Sequence, residues 1–110
     1  MKSTQKTVEG MLADMRHALN EKKFTLVNRD KNQITMARLG LLTKDVINEM
    51  MELTYKDYIK GPEVDEDFPN SDRLWFFKTE VFGHMIYIKF KIEYQKDGSI
   101  KCLSFHIDNM

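Results

Sequence analysis

The chain is poor in the residues that would hold or interrupt a fold from outside its core. It has one cysteine, Cys102, so no intrachain disulfide framework is available, and a reducing compartment suits it. It has two prolines, Pro62 and Pro69, so nothing before Gly61 or after Asn70 is barred by proline from being helix or strand. It has no apolar run approaching the roughly 20 residues that span a bilayer, and "MKSTQKTVEG" lacks the apolar centre of a secretory signal. A cytoplasmic protein with no membrane association is expected. Excess charge is also missing: 17 Lys and Arg balance 17 Asp and Glu. That balance speaks mildly against a nucleic-acid partner, which usually selects a basic protein.

What is present is an ordinary globular mixture, 42% hydrophobic and 31% charged, over 110 residues. That is enough for one modest core and one domain, residues 1–110. The charge is unevenly spread. Residues 61–72, "GPEVDEDFPNSD", carry five carboxylates and no cation, so one acidic loop cancels a mildly basic remainder. A solvated connection is the plainer role for it, a mobile lid or partner contact the functional one.

Hydrophobic spacing divides the chain in two. Val8, Met11, Leu12, Met15 and Leu19 recur at helical intervals, which predicts a helix over about Thr4 to Glu21. "FTLV" reads as a short edge strand. Asp30 caps a second helix with Ile34, Ala37 and Leu41 inward and Gly40 as its stop. Thr43 caps a third, with Val46, Ile47, Met50 and Met51 inward. "TYKDYIKGP" reads as a compact helix, opened by a Thr54–Asp57 capping box, with Lys60 in its last turn. After the acidic loop the period becomes two. "RLWFFKTEV", "HMIYIKFKIEY" and "IKCLSFHI" read as three strands. The expected class is α+β, N-terminal helices packed on a C-terminal antiparallel meander.

The register of that meander can be predicted from its core. A two-residue Asp97-Gly98 turn pairs Ile92 with Leu103, Phe90 with Phe105 and Ile88 with Ile107, all apolar. The other face then sets Lys91 against Ser104 and Lys89 against His106, with Tyr87 diagonal to His106. Cys102 falls on that polar face too. An even-length turn around "VFGH" adds Phe76 beside Lys89 and Lys78 beside Tyr87. Phe82-Gly83 is a poor two-residue turn, because Phe resists positive φ, and a four-residue loop of the same parity is the open alternative. The resulting face gathers lysines, a tyrosine, a histidine and an aromatic ring. Cations for phosphate, a ring for a base and proton-bearing groups are what an RNA site needs.

In their order and spacing, "LTYKDYIKGPE", "LWFF", "IYIKFKI" and "CLSFH" resemble the MqsR-type RNase toxins of bacterial toxin–antitoxin systems, from about "TLVNRDKN" to "SFHI". The resemblance implies a RelE-like α+β fold, mRNA cleavage without a metal, and neutralisation by a cognate antitoxin protein. The family's catalytic lysine falls at Lys60 and its tyrosine at Tyr87. Its glutamine falls at Phe76 and a second lysine at His106, so two positions carry a different side chain. His106, Tyr87 and Lys60 are the expected catalytic residues, and Lys89, Lys91, Lys78 and Phe76 the RNA- or phosphate-binding ones. No metal or other cofactor is expected, since His17, His84 and His106 lack ligand spacing with Cys102 or the carboxylates. Self-association as a homodimer is left open. The competing expectation is a non-catalytic RNA- or protein-binding module on a degenerate toxin fold.

Overall fold

The computed structural model describes residues 2–109. Helix α1 (Gln5–Asn20) is N-capped by Thr4, whose hydroxyl accepts the Thr7 N–H. The apolar set predicted for it is buried, with Ala18 added. A three-residue strand, β1 (Phe24–Leu26), follows, then α2 (Asp30–Leu39), which stops at Gly40, and α3 (Thr43–Met51). Asp45 accepts the Leu42 N–H at the start of α3, and Arg16 of α1 donates to the Met51 and Leu53 carbonyls at its end. Strands β2 (Tyr58–Glu63), β3 (Leu74–Val81), β4 (His84–Ile92) and β5 (Ile100–Ile107) complete one five-stranded sheet in the order β1-β5-β4-β3-β2. The α+β class holds, with helices before the meander. The sheet is mixed, because β1 runs parallel to β5.

The main core lies between α1, α3 and one sheet face. Phe77, Ile86, Ile88, Phe90, Ile100 and Phe105 meet Val8, Leu12, Met15, Val46 and Met50 there, each at most 1% exposed. Burial of such side chains supplies roughly 1.5–3 kcal/mol apiece.

Four expectations are corrected. The segment after the Thr54–Asp57 capping box is a single 3₁₀ turn, Tyr55–Asp57, and the chain then enters β2. Lys60 therefore stands on an edge strand beside Phe76. Pairing with β3 outweighs the local helix signal. Gly61 lies close against β3, where a Cβ would come within 2.9 Å of the Leu74 carbonyl oxygen. The β3–β4 connection is the tight Phe82-Gly83 turn after all, with φ of 51° and 80°. Val81 pairs with His84, and the even parity places Phe76 beside Lys89 and Lys78 beside Tyr87, as expected. Phe82 carries this left-handed conformation at the turn with its side chain 74% exposed.

The third correction concerns β4 and β5. The strands separate at Ile92 and Ile100, so the hairpin loop spans residues 93–99 and not two residues. Tyr87 pairs directly with His106, and Lys89 with Ser104. The slip is two residues, so both side chains keep their face. A bulge at Leu103 then changes the parity: Cys102 pairs with Phe90 and enters the main core, while Leu103 turns to the other face.

Helix α2 buries the opposite side from the one predicted. Asn32 and Thr35 are fully buried, while Ile34 is largely exposed. The reason is the free edge of β5 beyond β1. Asn32 donates to the Val27 and Leu103 carbonyls and accepts the Phe105 N–H, and Thr35 accepts the Ile107 N–H. Polar side chains here replace a neighbouring strand and hold the bulge. Asn32→Ala should cost about 1–3 kcal/mol for the groups left unmade. Thermal unfolding should show a Tm lowered by about 4–8 °C per kcal/mol for a domain of this size; an unchanged Tm would contradict this role.

Candidate functional site

The second sheet face carries a small apolar floor of Leu74, Phe76 and Leu103, against which Val27, Ile59 and Tyr87 pack. On this floor stands a row of side chains that crosses four strands. Lys60 of β2 lies over the Phe76 ring of β3, with Nζ 4.6 Å from its centroid. Phe76 meets Tyr87 of β4 at 6.2 Å between centroids, and Tyr87 meets His106 of β5 at 5.5 Å. One side of Tyr87 is thus braced by a buried ring and the other faces the imidazole.

Beside this row opens a groove of about 810 Å³, lined by Tyr87, Lys89, Ser104, His106 and Asp108 from the sheet side and by Arg29, Asp30 and Lys31 from the start of α2. Arg29, Lys31, Lys60 and Lys89 form no ion pair among the described residues. Of these, Arg29, Lys31 and Lys89 line the groove, where Asp30 is the carboxylate that also forms no ion pair among the described residues.

Local environment sets the state of each group. Burial, reinforced by the Asp108 carboxylate, raises the Tyr87 phenol above its ordinary value, so it stays protonated. Burial and the nearby Arg29 guanidinium lower the Lys89 ammonium. Asp108 is held low by its hydrogen bond from Lys78, 2.9 Å away. His106 Nδ1 lies 3.1 Å from the Ile107 carbonyl. A carbonyl only accepts, so Nδ1 carries the hydrogen and Nε2 of the neutral ring is left as acceptor.

The expected residues are not all equivalent. His106, Tyr87, Lys89 and Lys60 are brought together, with Lys89 opposite Ser104. Lys78 is on the same face but engaged with Asp108. Phe76 is 8% exposed under Lys60 and offers no open ring face. Lys91 is 3% exposed, and its ammonium is held by Asp65 at 2.6 Å and the Ser71 hydroxyl at 2.9 Å. The acidic segment is thereby strapped to this sheet face at Asp65 and Ser71, with residues 66–70 between them exposed. Cys102 lies in the core on the other side, its thiol pushed up to about 12 by burial, which removes it from the site's chemistry. Among the described residues no group of three His, Cys, Asp or Glu side chains is placed to hold a metal ion, and no helix is long and apolar enough to cross a membrane.

Arg29 and Lys31 were not anticipated. "NRDK" is a basic cluster at a predicted helix start, but nothing local says that this start faces β5.

A family model described as "Motility quorum-sensing regulator, toxin of MqsA" matches residues 7–107, nearly the whole chain and all of the elements above. No curated protein and no solved structure matches.

Proposed function

Because the chain belongs to the MqsR toxin family, the toxin side of a toxin–antitoxin pair whose partner is an antitoxin of the MqsA kind, we propose that it acts as an endoribonuclease on mRNA in the cytoplasm. The observation that carries this reading is the direct Tyr87–His106 pairing at the mouth of a cationic groove. Cleavage runs through the 2′-hydroxyl and needs no metal. His106 Nε2 takes the 2′-hydroxyl proton, the 2′-oxygen attacks phosphorus, and the bond from phosphorus to the 5′-oxygen breaks. The neutral Tyr87 phenol gives its proton to that leaving oxygen. The products are a 2′,3′-cyclic phosphate and a 5′-hydroxyl. Charge gathering on the phosphoryl oxygens meets Lys89, Arg29 and Lys60, preset cations of the kind that lower such barriers.

A division of labour follows from the geometry. Lys60 is held over a buried ring at the sheet edge, and Lys89 stands between the row and the strap. Lys78 and Lys91 have carboxylate partners already, so they contribute less to RNA. Lys89→Met should weaken RNA binding about equally across sequences, and the slope of log affinity against log salt should fall by about 1. Lys6→Met, at an exposed position of α1 away from this sheet face, should leave that slope unchanged. Fluorescence anisotropy with a labelled single strand measures both, and equal slopes in all three proteins would remove Lys89 from the phosphate site. The reading as a whole is tested by incubating the purified protein with a long single-stranded RNA in EDTA. Fragmentation is expected. Intact RNA would instead favour the non-catalytic module.

A further inference from the structure

Phe68 is the aromatic side chain that the acidic strap leaves in solvent, 61% exposed. Its backbone is tied down from both sides. The Phe68 N–H donates to the Asp65 carbonyl at 3.1 Å, and the Phe68 carbonyl accepts the Ser71 N–H at 2.9 Å and the Ser71 hydroxyl at 2.7 Å. Asp65 and Ser71 are both anchored on Lys91. An exposed ring on a fixed backbone has little conformational freedom left to lose on binding.

Two ammonium groups, Lys91 and Lys101, each lie 5.9 Å from the ring centroid. Lys91 is spent on Asp65, whereas Lys101 forms no ion pair among the described residues. Lys101 pairs with Lys91 across β4 and β5, on the face that carries Lys89 and Tyr87. From Tyr87 to Lys91 is four residues along β4, roughly 13 Å at ordinary strand rise. A strand whose phosphate is cut at Tyr87 and His106 runs past Lys89 and reaches Lys101 and Phe68 a few nucleotides away. Asp65 and Asp67 act electrostatically on Lys89, which places the strap against that path.

We propose that Phe68 is a base-stacking platform, with Lys101 as its phosphate partner, that binds a nucleotide of the RNA outside the pair flanking the cleaved bond. This rests on the ribonuclease reading and adds a subsite to it. Buried Phe76 cannot serve that purpose, and an exposed ring beside a cation is the usual device for holding a single strand without regard to sequence.

The test compares wild type, Phe68→Leu and Phe68→Tyr on a dinucleotide and on a hexanucleotide of RNA. Leucine still covers the Asp65–Lys91 pair but offers no ring; tyrosine keeps the ring. For Phe68→Leu, kcat/KM on the hexanucleotide should fall about 5- to 150-fold, the range set by one lost stacking contact. The dinucleotide should be cut as by wild type, and Phe68→Tyr should match wild type on both. A parallel fall on both substrates would mean a structural role and overturn the platform, as would no change on either. Affinity for a 2′-deoxy hexanucleotide, which the proposed route cannot cut, separates the two claims. If no protein cuts RNA but Phe68→Leu still loses affinity, the platform stands and the ribonuclease reading fails. If cleavage and affinity are unchanged and only antitoxin binding is lost, Phe68 is a protein contact and the proposal is wrong.

Discussion

Alanine at position 106 should lower RNA cleavage about 100-fold or more while leaving the fold intact. His106 is half-buried near the end of β5, and its ring hydrogen bond is to the carbonyl of its own neighbour, Ile107. The neighbouring N–H of Ile107 is held by Thr35, and Phe105 by Asn32, so the strand is fastened without the imidazole. Stability should therefore change by about 0.5 kcal/mol or less, the usual range for a side chain outside the core. Tyr87→Phe makes the complementary case. It keeps the ring that lies tilted between Phe76 and His106 and removes only the proton donor. Single-turnover rates together with Tm for the three proteins decide the matter. Full activity in His106→Ala would remove the base. A collapse of Tm alongside lost activity would make the histidine structural.

Asp65→Ala should damage the fold more than any change on the groove surface. Lys91 and Asp65 are nearly fully buried, and their contact is 2.6 Å. Removing the carboxylate leaves a buried ammonium in the sheet with the Ser71 hydroxyl as its hydrogen-bond partner. Breaking one side of a buried pair costs about 3–5 kcal/mol, which for a domain of this size is a Tm lower by about 12–40 °C. Replacing both partners, Asp65→Leu with Lys91→Met, should recover most of the loss, because no buried charge then lacks a partner. The pair also gives a sign for acid stability. Burial alone would raise the Asp65 carboxyl, but the Lys91 ammonium and the Asp67 and Phe68 N–H groups outweigh it and hold the group below its ordinary value. A lowered carboxylate contributes stability above its unfolded pKa, about 3.9, and loses it as pH falls through the folded value. The gap between wild type and Asp65→Ala should thus be full near neutrality and close below about pH 4. A gap independent of pH would contradict the charge pair.

The strap also shows where sequence reading stops. The excess of carboxylates in residues 61–72 is visible, yet nothing local distinguishes Asp65, which is buried, from Glu66 or Asp67, which are exposed. The choice is made by Lys91, 26 residues later. Alternation in β3, β4 and β5 was legible because one face must be apolar, and so was the gathering of Tyr87, Lys89 and His106. Their register was not. Asp97-Gly98 looks like a two-residue turn, but Gly98 N–H reaches back to the Glu93 carbonyl, and the loop closes as a longer one. The error was two residues, which preserves faces, so Tyr87, Lys89 and His106 share one face as read. Past Leu103 the bulge made it three, and Cys102 changed sides.

Helix α2 misled for a related reason. Periodicity assumes that a helix buries apolar side chains, but this one meets a strand edge, where Asn32 and Thr35 satisfy backbone groups better than Ile34 could. The same docking brings Arg29 and Lys31 to the groove. Lys60 followed a capping box that is real, Thr54 N–H to Asp57 carboxylate at 2.9 Å, but that closes one turn and no more. Its place beside Phe76 is a consequence of pairing between β2 and β3.

The central claim is that this sheet face cuts RNA through the 2′-hydroxyl. The most direct measurement takes one oligonucleotide containing a mapped cleavage site and a second that differs only by a 2′-deoxy residue on the 5′ side of that bond. With the purified protein in EDTA, the account predicts cutting of the first, fragments ending in a 2′,3′-cyclic phosphate and beginning with a 5′-hydroxyl, and no cutting of the second. Equal cleavage of both, or fragments that begin with a 5′-phosphate, would contradict it.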